Sequence, residues 1–145
     1  MIFKTIMVVS DHGGYGLKGQ IIDFLKSKEI NVIDGGCDSE ESVDYPIYGF
    51  KAAKAVVNGE CDGAVTICGT GIGISIAANR IKGVRASLCH NAEYAKMTRL
   101  HNDSNILALG ARFTDVETAK EIVSVWLSTE YEGGRHGKRV KMLDD

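Results

Sequence analysis

Proline is nearly missing from this sequence: Pro46 is the only one among 145 residues. Proline-rich linkers, polyproline ligands and collagen-like repeats are excluded at once. Cysteine is sparse as well, with Cys37, Cys61, Cys68 and Cys89 scattered singly and no CxxC pair. A chain this long buries a core without crosslinks, so the four read as free thiols, and neither a disulfide scaffold nor a paired-cysteine zinc motif is expected. No apolar run approaches the ~20 residues of a membrane span, and Met1 to Ser10 is too short for a secretory signal. A cytoplasmic protein is the expectation, so the Asn102-Asp103-Ser104 glycosylation pattern has no consequence. Nor does one sign of charge dominate: 17 Lys plus Arg stand against 19 Asp plus Glu, a net of -2. Without a general pull toward nucleic acid or an acidic membrane, any anion site must be local.

What is present suits a globular protein: 44% hydrophobic and 25% charged residues, in a length that fits one domain over residues 1–145. Short apolar runs alternate with amphipathic stretches. Thr5–Ser10, Asn31–Asp34, Gly63–Cys68, Val84–Cys89 and Ile106–Leu109 read as strands. Between and after them, Leu17–Lys28, Tyr45–Asn58, Gly71–Asn79, Asn91 to about His101 and Asp115–Ser128 read as helices. Pro46 stands where a first helical turn tolerates it; Asn91 and Thr114 are the expected caps. In the last helix Val116, Ala119, Ile122, Val123, Trp126 and Leu127 share the inward face. The strands are apolar throughout rather than at every second residue, which argues for a five-stranded parallel sheet covered by helices on both faces, a three-layer Rossmann-like α/β fold. The tail from Tyr131 to Asp145 is glycine-rich, then basic, and shows no clear core face except Val140, Met142 and Leu143.

In open α/β sheets ligands sit beyond the carboxyl ends of the strands. That rule selects Asp11 and His12, Asp34 to Gly36, Cys68 to Gly73, Cys89 and His90, and Gly110 to Arg112. The strongest feature is Cys68-Gly69-Thr70-Gly71-Ile72-Gly73, a thiol ending a buried strand before three alternating glycines that open a helix. Amide groups exposed by glycine, together with a helix N-terminus, receive an oxyanion or phosphate, and the same field favours negative charge on the Cys68 sulfur. The spacing is neither the dinucleotide fingerprint nor a P-loop, and the Arg that a cysteine phosphatase needs six residues on is replaced by Ile74. On the residues alone, a tight turn that merely packs helix on strand stays open beside the anion-receptor reading. Of four histidines, position favours His12 and His101 for acid-base work. Arg135 and Arg139 lie four apart and could share a helical face suited to forked phosphate contacts.

Six segments together resemble the ribose-5-phosphate isomerase B family, which is shared with galactose-6-phosphate isomerase subunits. They are Ser10-Asp11-His12-Gly13-Gly14, Val43-Asp44-Tyr45-Pro46, Ile67 to Ser75, Arg99-Leu100-His101-Asn102-Asp103, Asn105 to Gly110, and Glu132-Gly133-Gly134-Arg135-His136. Cys68 and the Gly-Gly-Arg-His segment are the features in which the galactose-type subunits look different. The resemblance implies interconversion of ribose 5-phosphate and ribulose 5-phosphate without metal or organic cofactor. It makes Cys68 the base, with the amides of Gly69, Thr70, Gly71, Ile72 and Gly73 and the Thr70 hydroxyl receiving the enediolate oxygen. His101 opens the sugar ring, Asp11 lies near the sugar hydroxyls and Asn102 steadies developing charge, while His12, Arg112, Arg135 and Arg139 hold the phosphate. Asp44 and Tyr45 shape the pocket. It further implies a homodimer, with a tetramer as the larger alternative, and pockets that draw on both subunits. The alternatives are an isomerase of allose 6-phosphate or another hexose phosphate, and a sugar-phosphate sensor without catalysis.

Overall fold

The computed structural model describes residues 2–145. Its strands are β1 (Thr5–Ser10), β2 (Asn31–Asp34), β3 (Gly63–Cys68), β4 (Ala86–Leu88) and β5 (Ile106–Gly110). The helices are α1 (Tyr15–Ser27), α2 (Tyr45–Val57), α3 (Ile72–Asn79), α4 (Ala92–Asn102), α5 (Val116–Ser128) and α6 (His136–Asp144). The strands form one parallel five-stranded sheet in the order β2-β1-β3-β5-β4. Ser10 stands opposite Ile67, and Cys68 opposite Gly110, so three strand ends finish level with one another. The chain leaves β1 toward β2 on one side and leaves β3 toward the other, which opens a crevice between their carboxyl ends.

Alternate residues of each strand point to opposite layers. Ile6, Val8, Val65, Ile67, Leu107 and Leu109 meet α1 and α5, where Trp126 stacks on Phe3 with ring centres 4.2 Å apart. Met7, Val9, Ala64, Cys68, Ile106 and Ala108 meet Ala52, Ala53, Ala55, Ile74 and Ala78 of α2 and α3. Cys68 therefore sits under α3, at the end of the small-residue layer.

Several element limits differ from the sequence expectation. α1 starts at Tyr15 rather than Leu17, because Asp11 first caps a 3-10 turn over His12–Gly14 by accepting the Gly14 amide at 3.2 Å. β4 covers only Ala86–Leu88 of the expected Val84–Cys89: the Val84 amide is used by the Ile81 carbonyl in a turn, and an edge strand pairs on one side alone. α3 begins at Ile72, since Gly71 has φ +78° and caps the helix from outside. α5 is capped by Asp115, whose carboxylate accepts the Thr118 amide at 2.7 Å, and not by Thr114, which is buried. In the tail, Met142 and Leu143 are exposed and form no core face, because that segment packs only lightly on the rest of the molecule. After Gly133 and Gly134, both at positive φ, the tail forms α6, anchored where Arg85 Nη1 donates to both Asp144 carboxylate oxygens at 2.8 and 2.9 Å. Its amphipathic pattern is too weak to see in sequence because most of that helix stays exposed.

Candidate active site

The crevice above β1 and β3 gathers one group of the expected residues. Asp11 is buried, and its amide donates to the Ile67 carbonyl at 3.1 Å. His12 accepts the Val43 amide on Nδ1 at 3.1 Å, so the loop before α2 fixes the ring and leaves Nε2 as the proton-bearing nitrogen of the neutral form. Cys68 is buried with its sulfur accepting the Gly71 amide at 3.1 Å. The Thr70 hydroxyl accepts the Ile72 amide, also at 3.1 Å. Two of the five loop amides are thus committed within the loop, whereas sequence reasoning assigned all five to an oxyanion. The amides of Gly69, Thr70 and Gly73 have no acceptor among the described residues.

Backbone contacts hold this loop. The Ala111 and Arg112 amides donate to the carbonyls of Cys68 and Gly69, each at 2.9 Å, which ties the end of β5 to the end of β3. A methyl group added at Gly110 would overlap the Thr70 carbonyl oxygen, so β5 and the loop touch backbone to backbone. At Gly69 the same addition would meet Arg112 Nε at 3.2 Å, and at Gly13 it would meet the Gly69 nitrogen at 3.4 Å. Asp11, Gly13, Gly69 and Arg112 accordingly border one space. The ring of Tyr45 closes it near Gly73, where an added methyl would meet that ring at 2.8 Å. A groove lined by His12, Gly13, Gln20, Ala111 and Thr114 continues from it.

His101, Asn102, Arg135 and Arg139 lie elsewhere. α4 runs antiparallel to the strands it connects, so its last turn falls at their amino ends. There Arg85 Nε donates to the carbonyls of Asn102 and Asp103, both at 3.1 Å, and Asn105, just before β5, caps the Gly83–Arg85 segment. The tail joins this edge: the Glu132 amide donates to the Leu100 carbonyl at 3.1 Å, and the His101 and His136 rings stack with centres 4.4 Å apart. His136 is buried while Arg135 and Arg139 are exposed. Within one chain the expected residues therefore form two groups, one at each edge of the sheet. Sequence reasoning ranked His101 by its position at the end of a helix without drawing the consequence of that helix's direction. It also missed Glu132 beside His101, which only the turn at Gly133-Gly134 brings there.

The cysteines differ in surroundings. Burial pushes the Cys89 thiol up to about 12 and raises that of Cys61. Neither faces the Gly69–Gly73 loop, and Cys68 is the one whose sulfur meets an amide at a helix start.

A model of the ribose/galactose isomerase family matches residues 6–143. The chain is 48% identical over 140 residues to ribose-5-phosphate isomerase B of Escherichia coli, covering 97% of this chain and 94% of that protein. Its structure is similar to that of the Clostridium thermocellum ribose-5-phosphate isomerase B, with a TM-score of 0.96, 54% identity, and coverage of 97% and 95%. The ribose 5-phosphate isomerase of Thermotoga maritima is similar at a TM-score of 0.95 and 44% identity, covering 97% of both chains.

Proposed function

The chain belongs to the ribose/galactose isomerase family, and from that premise we propose that it interconverts D-ribose 5-phosphate and D-ribulose 5-phosphate through an enediolate with Cys68 as the base. The observation that carries this reading is the Cys68 sulfur 3.1 Å from the Gly71 amide, at the start of α3 and beside three amides without a protein acceptor. Moving a proton between adjacent carbons requires a base at the first carbon and donors at the oxygen that becomes negative. The Gly71 amide and the helix start stabilise charge on the sulfur. The amides of Gly69, Thr70 and Gly73 are the donors for the oxygen. Asp11 takes the sugar hydroxyls, and His12 with Arg112 contributes to phosphate binding.

Ring opening by His101, charge stabilisation by Asn102 and the phosphate grip of Arg135 and Arg139 require the other edge of the sheet, so the complete pocket combines two chains. A homodimer supplies it, with the partner subunit's His101 above Cys68. The exposed side chains Ile47, Ile72 and Ile76 on α2 and α3, each more than half accessible, support this face as the contact. A location in the cytoplasm suits four unpaired thiols.

Incubation with ribose 5-phosphate in heavy water tests the chemistry: ribulose 5-phosphate forms with deuterium at the carbon next to the carbonyl, and failure of both rejects the reading. Comparing kcat/KM for ribose 5-phosphate and allose 6-phosphate separates pentose from hexose selectivity. Cys68→Ala and His101→Asn chains, each inactive alone, should regain about a quarter of wild-type activity when mixed and re-equilibrated, because half the dimers then hold one intact pocket. No recovery would place both residues in one chain's pocket or remove one of them from it. Arg139→Ala should raise KM for the phosphorylated sugar with little change in unfolding free energy.

A further inference from the structure

We propose that Asp144, held by Arg85, is a positioning residue for the substrate phosphate: the pair fixes the far end of α6 and with it the reach of Arg139. Little else holds that helix. Its residues after His136 are exposed or half-buried, so docking removes little apolar surface from water, and Gly133 and Gly134, both at positive φ, precede it. His136 alone is buried, and its ring, stacked on that of His101, pins the first turn. A nine-residue helix tied at one end frays or swings at the other unless a second anchor stops it. Arg139 lies between the two ends, about 7.5 Å along the axis from Asp144.

Arg85 has the surroundings of such an anchor. Its backbone is fixed just before β4, where its amide donates to Asn105 Oδ1 at 2.8 Å. Its side chain is mostly buried, with Nε donating to the carbonyls of Asn102 and Asp103 at the end of α4. Asp103 is held in turn by the buried Arg99, whose Nη1 donates to Asp103 Oδ1 at 2.9 Å and to the Ser104 carbonyl at 2.7 Å. A planar guanidinium engaged on this side offers Nη1 in one direction, so the grip on both Asp144 oxygens fixes a position as well as a charge. The helix bearing Arg139 is thereby referred to the same end of α4 that carries His101 and Asn102.

An ion pair this close to the surface contributes little to folding stability, so its effect lies in placement. An arginine whose helix wanders holds a phosphate weakly in ground state and transition state alike, which raises KM and leaves kcat nearly unchanged. The effect on KM rests on the function and phosphate contacts proposed above; the clamping of α6 does not.

Four variants test the proposal: Asp144→Ala, Asp144→Glu, Arg139→Ala, and Arg139→Ala combined with Asp144→Ala. Asp144→Ala should raise KM for ribose 5-phosphate about tenfold with kcat within about twofold of wild type. Its affinity for inorganic phosphate in calorimetry should fall by the same factor, and amides of the last turn of α6 should exchange with solvent faster while those of the strands keep their protection. Asp144→Glu, which retains the carboxylate, should bring KM back to within about threefold of wild type. In the Arg139→Ala chain, Asp144→Ala should add less than about twofold, because the residue it acts through is already gone. An unchanged KM, an equal loss in Asp144→Glu, a full tenfold increment without Arg139, or unaltered exchange in α6 would overturn the proposal. If the wild-type chain turns over no ribose 5-phosphate, the functional reading falls instead, and the phosphate affinities and exchange rates of the same variants decide this one.

Discussion

The two layers against the sheet are packed on different principles. Toward α1 and α5 the core is large: Trp126, Phe3, Ile21, Leu25, Ile122 and Leu107 are buried together. Toward α2 and α3 it is small, with Ala52, Ala53, Ala55, Ala64, Ala78 and Ala108 around Cys61 and Cys68. At Gly49 an added methyl would stand 2.8 Å from Ala77 Cβ, so α2 and α3 approach almost to backbone contact. Large side chains remove more apolar surface from water, whereas small ones let backbones come close and fix where a loop emerges. The contrast teaches a division of labour in which one layer contributes most of the stability and the other positions Cys68 and its amides.

Four measurements can break or sharpen this contrast. Trp126→Ala should be the most destabilising, by about 3–5 kcal/mol in urea unfolding, since it empties the stack on Phe3 and leaves Ser104 Oγ without its indole donor at 2.9 Å. Its activity per folded molecule should stay near wild type; a loss of both would deny the separation of roles. Cys68→Ala should do the reverse, lowering kcat by about a thousandfold while unfolding changes little. Gly49→Val should cost about 1–3 kcal/mol by overpacking α2 on α3, and should also lower kcat because the displacement reaches the loop. An intact kcat would show that the small layer does not set the loop.

Acid should have the least effect. The Thr118 amide holds the Asp115 carboxyl below its ordinary value of 3.8. Asp34 is also held low: partial burial acts against this, but the Lys18 ammonium at 2.7 Å and the Gly36 amide outweigh it. Because the folded values lie below the unfolded ones, their stabilisation is complete above about pH 4 and is lost as pH falls through the lower folded values. Asp115→Asn keeps the cap but not the titration, so its unfolding free energy should fall less steeply between about pH 4 and 2. An unchanged slope would remove Asp115 from the acid response.

Much of this molecule can be read in the chain. Val8, Val65 and Leu107 lie in uniformly apolar runs, and a run of that kind is what a strand covered on both sides requires. The carboxyl-end rule then delivers Asp11, His12, Cys68 and Arg112 to one edge. Limits such as Val84 against Ala86 depend on which strand ends up at the sheet edge, and that is decided by long-range pairing. Gly71 could be counted inside α3 or outside it until its φ was known. His101 was identifiable as a candidate, yet its place at the opposite edge follows from the direction of α4. α6 escaped because an exposed basic helix buries little and so leaves no apolar period.

The flush contact of Gly110 with the Thr70 carbonyl carries one more implication. Peptide planes, not side chains, set the spacing between β5 and the turn that follows Cys68, so those donors inherit the stiffness of the ladder beneath them. Evolution could vary the walls of such a cleft freely and still transmit its centre unaltered, provided position 110 never acquires a side chain.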